Sequence, residues 1–175
     1  MKNKILLISL ILFICFCLVV LFKGLNNSNV YIPETTNKII KEFKSRSLFS
    51  DDEISSEKIL VNSDYYILNI WASWCGPCRK EHPKLMELSK NPSVKLIGIN
   101  YRDNLKNAKN FVKKFGNPYS FIFVDTNGII SIELGAYSVP ETIIVNKDKK
   151  IIKKFVGYLD DKSFSEINSI LKWKN

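Results

Sequence analysis

The stretch Asn69-Ile-Trp-Ala-Ser-Trp-Cys-Gly-Pro-Cys-Arg-Lys-Glu-His-Pro83 decides how the rest of the chain is read. Around its start, Tyr65 to Ala72 is apolar and rich in aromatic and β-branched residues, as a buried central strand requires. A helix-forming run follows the cysteines. A cysteine at the start of a helix meets unpaired backbone N–H groups and the positive end of the helix dipole, which favour thiolate over thiol. A second cysteine three residues on is close enough to close a disulfide with the first. Such a pair exchanges two electrons reversibly with no cofactor.

Other uses of this spacing fit less well. Zinc sites need a second pair of Cys or His ligands, and outside the first 25 residues the chain adds only His82. Haem attachment needs His directly after the second cysteine, where Arg79 stands. A soft-metal site for Cu(I), built from Cys75, Cys78 and His82, remains as a rival reading.

Working outward, Ile5 to Phe22 is apolar except for Ser9. At about 1.5 Å per residue it reaches roughly 27 Å, near the thickness of a bilayer core. It has no polar face, so it reads as a membrane span or a signal sequence. No small-residue cleavage site follows it, which favours an uncleaved anchor. Lys2, Lys4 and the amino terminus outweigh Lys23, so the N-terminus is expected in the cytoplasm and the rest outside, in a bacterial periplasm. Cys15 and Cys17 fall in the span and read as small hydrophobes. The expected organisation is an anchor over 1–25, a tether over 26–37 and a periplasmic domain over 38–175.

The formal net charge is +9. The lysines are scattered among acids, and an exported domain meets no nucleic acid, so the charge reads as a solvated lysine-rich surface and not as a nucleic-acid site. Weak attraction to anionic lipid is compatible with it.

Residues 31–58 carry the weakest pattern: Thr36 to Phe43 fits either a short helix or an extended strap. Beyond the cysteines a helix is expected to about Lys90, with Pro83 kinking it, then a strand over Val94 to Asn100. Asp103 to Phe115 predicts a helix burying Leu105, Ala108, Phe111, Val112 and Phe115 on one face. Phe121 to Val124 reads as a short strand, and Asp125 to Gly128 as a turn into the apolar run Ile129 to Leu134. Glu141 to Asn146 and Ile151 to Tyr158 suggest a hairpin, and Asp160 caps a last helix. Strand-helix-strand order implies a right-handed parallel unit in an α/β domain.

Trp74-Cys-Gly-Pro-Cys78 after an apolar strand, Pro83, and the distant Val139-Pro140 resemble the thioredoxin fold. The resemblance implies a central mixed sheet flanked by helices, here with an N-terminal transmembrane helix, and a cis bond at Val139-Pro140. Leu68 to Cys75, Cys78 to Pro83, Gly98-Ile-Asn-Tyr-Arg-Asp103, Gly116-Asn-Pro-Tyr119 and Gly135-Ala-Tyr-Ser-Val-Pro-Glu-Thr142 resemble one membrane-anchored branch. These are the thiol:disulfide interchange proteins of cytochrome c maturation (DsbE/CcmG type).

The resemblance implies roles. Cys75, expected at the helix start and exposed, is the nucleophile, and Cys78 resolves the mixed disulfide. Thioredoxins carry a buried Asp six residues before the first cysteine, where this chain has Asn69. Glu81, assisted by Glu141 after the presumed cis Pro140, is expected to replace that acid and tune the pair. Trp74 and Val139 are expected to contact substrate, with Tyr101, Tyr137 and Glu141 shaping the surrounding surface. Trp71 reads as core and His82 as a packed helix residue. Gly76-Pro77 between the cysteines points to a reductant. Implied partners are apocytochrome c or a maturation thiol protein as client, and a membrane thiol-disulfide transporter as electron donor. A general periplasmic reductase is the alternative within this class.

Overall fold

The apolar run near the N-terminus forms α1 (Lys2–Asn26). Within it Lys4–Gly24 has a mean hydropathy of 3.4 and no buried part, the length and composition of a candidate membrane span. The computed structural model describes residues 2–26 and 37–172, so nearly all of the expected tether lies outside the described residues. The chain divides into two compact units, Met1–Pro33 and Glu34–Asn175.

The second unit comprises β1 (Lys44–Arg46), β2 (Glu53–Ser55), α2 (Ser56–Ile59), β3 (Tyr65–Trp71), α3 (Gly76–Leu88), β4 (Val94–Tyr101), α4 (Leu105–Phe115), β5 (Phe121–Asp125), α5 (Ile129–Glu133), β6 (Glu141–Asn146), β7 (Ile151–Val156) and α6 (Asp161–Ile170). Five strands make one sheet in the order β5-β4-β3-β6-β7. β3, β4 and β5 run parallel, whereas β6 and β7 pair antiparallel. This mixed sheet flanked by helices is the expected thioredoxin-like architecture.

Alternation along the central strand sorts side chains between two layers. Ile67 and Trp71 join the core that includes Leu85 and Leu88 of α3, Phe111 of α4 and Ile167 of α6. Tyr66, Leu68 and Ile70 join the opposite core with Ile40, Phe43, Ile130 and Leu134. Asn69 therefore stands on the α3 side.

The weakly patterned region is a strap. Asn37 and Ile40 donate backbone N–H groups to Ile151 and Lys149 at the β7 edge, while Leu48 donates to Ile122 at the β5 edge, 3.0 Å away. Between them Phe43 packs edge-on against Phe123. The described part, 37–43, is thus extended and not helical. Its side chains gain more by covering the sheet than by closing an isolated turn.

One helix start differs from expectation. α4 begins at Leu105 because Asn104 caps it, accepting from Asn107 N–H at 3.2 Å. The run after the 125–128 turn is a helix: the Asp125 carboxylate accepts from the N–H groups of Ile130 and Ser131 and from the Ser131 hydroxyl. Helix α3 continues through Pro83, and Asp160 caps α6 through Ser163 N–H at 2.7 Å.

Candidate active site: a helix-capping disulfide

Cys75 ends the segment after β3 and is the N-cap of α3, its backbone still extended. Its Sγ accepts the Cys78 N–H at 3.1 Å, one of the helix donors that lacks a carbonyl partner. Pro77, in the first turn, has no N–H to leave unpaired. Cys75 and Cys78 form a disulfide, with S–S 2.04 Å. The expectation of an exposed Cys75 is corrected: Cys75 is 3% and Cys78 2% accessible. Both belong to the core that contains Trp71 and Ala72, and Val139 packs against it.

The loop before the pair is fixed by Asp103. Its carboxylate accepts from Ser73 N–H at 2.6 Å and Ser73 hydroxyl at 2.7 Å, and from Asn100 and Asn104. Trp74 is 59% exposed, its indole N–H donated to the Arg102 carbonyl at 3.2 Å, whereas Trp71 is buried. The surface and core assignments of the two tryptophans thus match expectation.

On the other side lies the cis Val139-Pro140 bond, with Val139 half-buried and Pro140 buried. Glu141 is fully buried and does not form contact surface, a second correction. Its Oε1 accepts from the N–H groups of Tyr137 and Ser138 and from the Ser138 hydroxyl. Its Oε2 lies 2.8 Å from Lys154 Nζ, also buried, and Lys154 is the only partner of that oxygen among the described residues. Lys154 also donates to Gly135 O and sits over the Tyr137 ring. Glu141 therefore holds the loop that carries Pro140.

Glu81 follows Cys78 by one helical turn, on the same face of α3. It is fully buried, which pushes its pKa up from 4.5 to about 7 against the opposing pull of Leu159 N–H, the Asn69 amide and the Lys84 charge. Leu159 N–H donates to Oε2 at 2.8 Å and Asn69 Nδ2 to Oε1 at 2.9 Å. Asn69 is satisfied in turn: Nδ2 also reaches Thr142 Oγ1, and Oδ1 accepts from Tyr119 hydroxyl at 2.8 Å. Burial, and then the Glu81 charge, hold the Tyr119 phenol far above its ordinary pKa. Gly98, opposite Asn69 on β4, makes room for this chain, since a Cβ there would meet Trp71 Nε1 at 2.8 Å and the Tyr119 ring at 3.1 Å.

His82 is a packed residue. Its Nε2 lies 3.0 Å from Gly116 O and its ring is edge-on to Phe111, with burial lowering its pKa. Among the described residues no three Cys, His, Asp or Glu side chains converge as a metal-ligand group, so the Cys75, Cys78 and His82 triad is not assembled. Sequence reasoning missed Asp103, Tyr119 and Lys154. Asp103 and Tyr119 lay inside quoted motifs but had no assigned partner, and Lys154 was one lysine among many.

Comparison with known proteins places this geometry. The Redoxin family profile matches residues 37–171. The thiol:disulfide interchange protein DsbE of Tatumella citrea is 34% identical, over 91% of this chain and 89% of its own. DsbE of Escherichia coli (strain K12) is 30% identical, over 95% of this chain and 92% of its own. The crystal structure of a DsbF homologue from Corynebacterium diphtheriae superposes with a TM-score of 0.66 at 26% identity, covering 82% of this chain and 92% of that one.

Proposed function

This chain belongs to the Redoxin family as a thiol:disulfide oxidoreductase of the DsbE type, and from that premise we propose that it is a membrane-anchored periplasmic reductant. Its clients are the cysteine pair of apocytochrome c, or a maturation partner joined to it. The observation that carries this reading is the Cys75–Cys78 disulfide capping α3, with buried Glu81 one turn below.

In the reduced protein the Cys75 thiolate attacks one sulfur of the client disulfide. The new Cys75–client bond forms as the client bond breaks, and the departing thiolate takes up a proton. Cys78 gives its proton to the Glu81 carboxylate and attacks the Cys75 sulfur, breaking the Cys75–client bond; the released second client thiolate takes up a proton, and Glu81 returns its own to solvent. The client gains two electrons and two protons, and the protein is left oxidised. A membrane thiol-disulfide transporter, on this reading, returns the electrons. Backbone donation at the N-cap stabilises the Cys75 thiolate, while Asp103 and the Glu141–Lys154 pair position Trp74 and Pro140 beside the pair. Candidate span α1 supports anchoring by length and composition.

A Cys78→Ala variant of the full chain stalls the mixed disulfide at Cys75. Isolation of trapped apocytochrome c or maturation thiol proteins is the expected result. A broad set of unrelated periplasmic proteins would instead assign a general reductase.

A further inference from the structure

Phe115, expected in the core, is 36% exposed because α4 ends there and turns away at Gly116. Two cations lie over its ring: the Arg79 guanidinium and the Lys114 ammonium, each 5.4 Å from the centroid. The ring lines a groove of about 300 Å³, together with Ser73, Trp74 and Phe111. The groove adjoins the redox pair on both sides in sequence, since Trp74 directly precedes Cys75 and Arg79 directly follows Cys78.

The two charged side chains that line it, Arg79 and Lys114, have one sign. Helix α4 carries Lys106, Lys109, Lys113 and Lys114 and no acid, and α3 adds exposed Arg79 and Lys80. None of these six cations has an ion-pair partner among the described residues. Lys113 and Lys114 also suit the negative end of the α4 dipole, but that does not account for Arg79, Lys80 or the exposed ring. Asp103, the acid nearest Ser73, is taken up by four donors. An aromatic-lined concavity with unpaired cations over Phe115 matches a peptide segment with a carboxylate side chain, which replaces the water on the cations and packs its stem on Phe115.

Resting on the reductase reading above, we infer that this groove seats an acidic segment of the client, bearing Asp or Glu close to its reactive cysteines. The aromatic concavity beside the disulfide favours a peptide over an anionic bilayer, which needs charge but no pocket. The groove sets which disulfides are reduced fastest, and the cysteines set the reaction.

The test uses the reduced full chain in nanodiscs of phosphatidylcholine. Three peptides each carry an internal C-x-x-C disulfide, flanked by two Glu, two Gln or two Lys. The acidic peptide is expected to be reduced about fivefold faster than the neutral one, and the basic one slower by a similar factor, with the differences collapsing in about 1 M salt. Lys114→Glu reverses the order. Lys147→Glu, the same charge change at a distant exposed site, leaves it intact. Equal rates for the three peptides, or the same response to both variants, overturn the groove while leaving the reductase standing. Reduction of none of them overturns the reductase reading itself. An acidic preference abolished in nanodiscs containing phosphatidylglycerol would assign the surface to lipid and overturn the peptide proposal.

Discussion

Asn69 Nδ2 donates to Glu81 Oε1 at 2.9 Å, setting an amide that cannot titrate against a carboxyl that titrates near neutrality. On the proposed reading, Glu81 on the active-site helix, one turn from Cys78, stands in for the acid that thioredoxins place on the central strand. The strand position keeps only the hydrogen bond.

Replacing Glu81 with Gln removes the proton acceptor proposed for Cys78. In the wild type, resolution of the mixed disulfide is expected to rise with pH through an inflection near 7, as the Glu81 carboxylate forms. The Gln variant is expected to lose that inflection and about 10²-fold in rate at pH 8. Stopped-flow reduction across pH 5 to 9 reads both, and an unchanged profile removes Glu81 from the mechanism.

Stability carries the same signature. Glu81 holds its proton more tightly folded, near 7, than unfolded, at its ordinary 4.5. The folded state therefore binds more protons between those values, and stability falls as pH rises through that window, then levels off. The loss is about 3 kcal/mol, at about 1.36 kcal/mol for each pH unit between the two values. Urea unfolding of the oxidised protein across pH 4 to 9 is expected to show it. Glu81→Gln should flatten the slope, at the expense of a hydrogen bond, because a Gln amide cannot accept from both Asn69 and Leu159.

Asn69→Asp tests why the strand has an amide. The second carboxyl loses donation to Glu81 and Thr142, and one of two buried acids must stay protonated. The variant is expected to lose about 2 kcal/mol at pH 8 and to recover much of it at pH 5. Denaturant midpoints at the two pH values decide it; equal losses at both would show that no proton is shared.

The Glu141–Lys154 pair is expected to behave as a buried ion pair. Lys154→Met leaves the Glu141 charge uncompensated at a site with no solvent access, which costs about 3 to 5 kcal/mol. Glu141→Gln with Lys154→Met should be less destabilised than Lys154→Met alone. Guanidinium unfolding of these two variants and of Glu141→Gln alone supplies the coupling energy, and additive losses would mean that the pair contributes none.

Much of the local structure was legible because its causes lie within a few residues. The disulfide spacing, the helix opening after Cys75, the cap at Asp160 and the apolar run of β3 all follow from short-range causes. The strap over residues 37–48 was not legible, since its strands are short and their pattern acquires meaning only against the sheet they cover. Phe115 was misplaced for a related reason. Helical periodicity assigned it to the buried face, but α4 stops there and two cations from different helices meet over the ring.

Cys75 and Cys78, then, could be read from sequence as a redox pair because the spacing within a motif is covalent, and the resemblance to thioredoxins marked Asn69 as the place of a missing acid. Whether Glu81 stood in solvent or in the core, whether Glu141 formed surface or held a loop, and whether Cys75 was open were decided by tertiary packing alone. Burial and charge pairing depend on residues such as Leu159, Tyr119 and Lys154, from 13 to 78 positions away from those they contact. No local pattern carries that information.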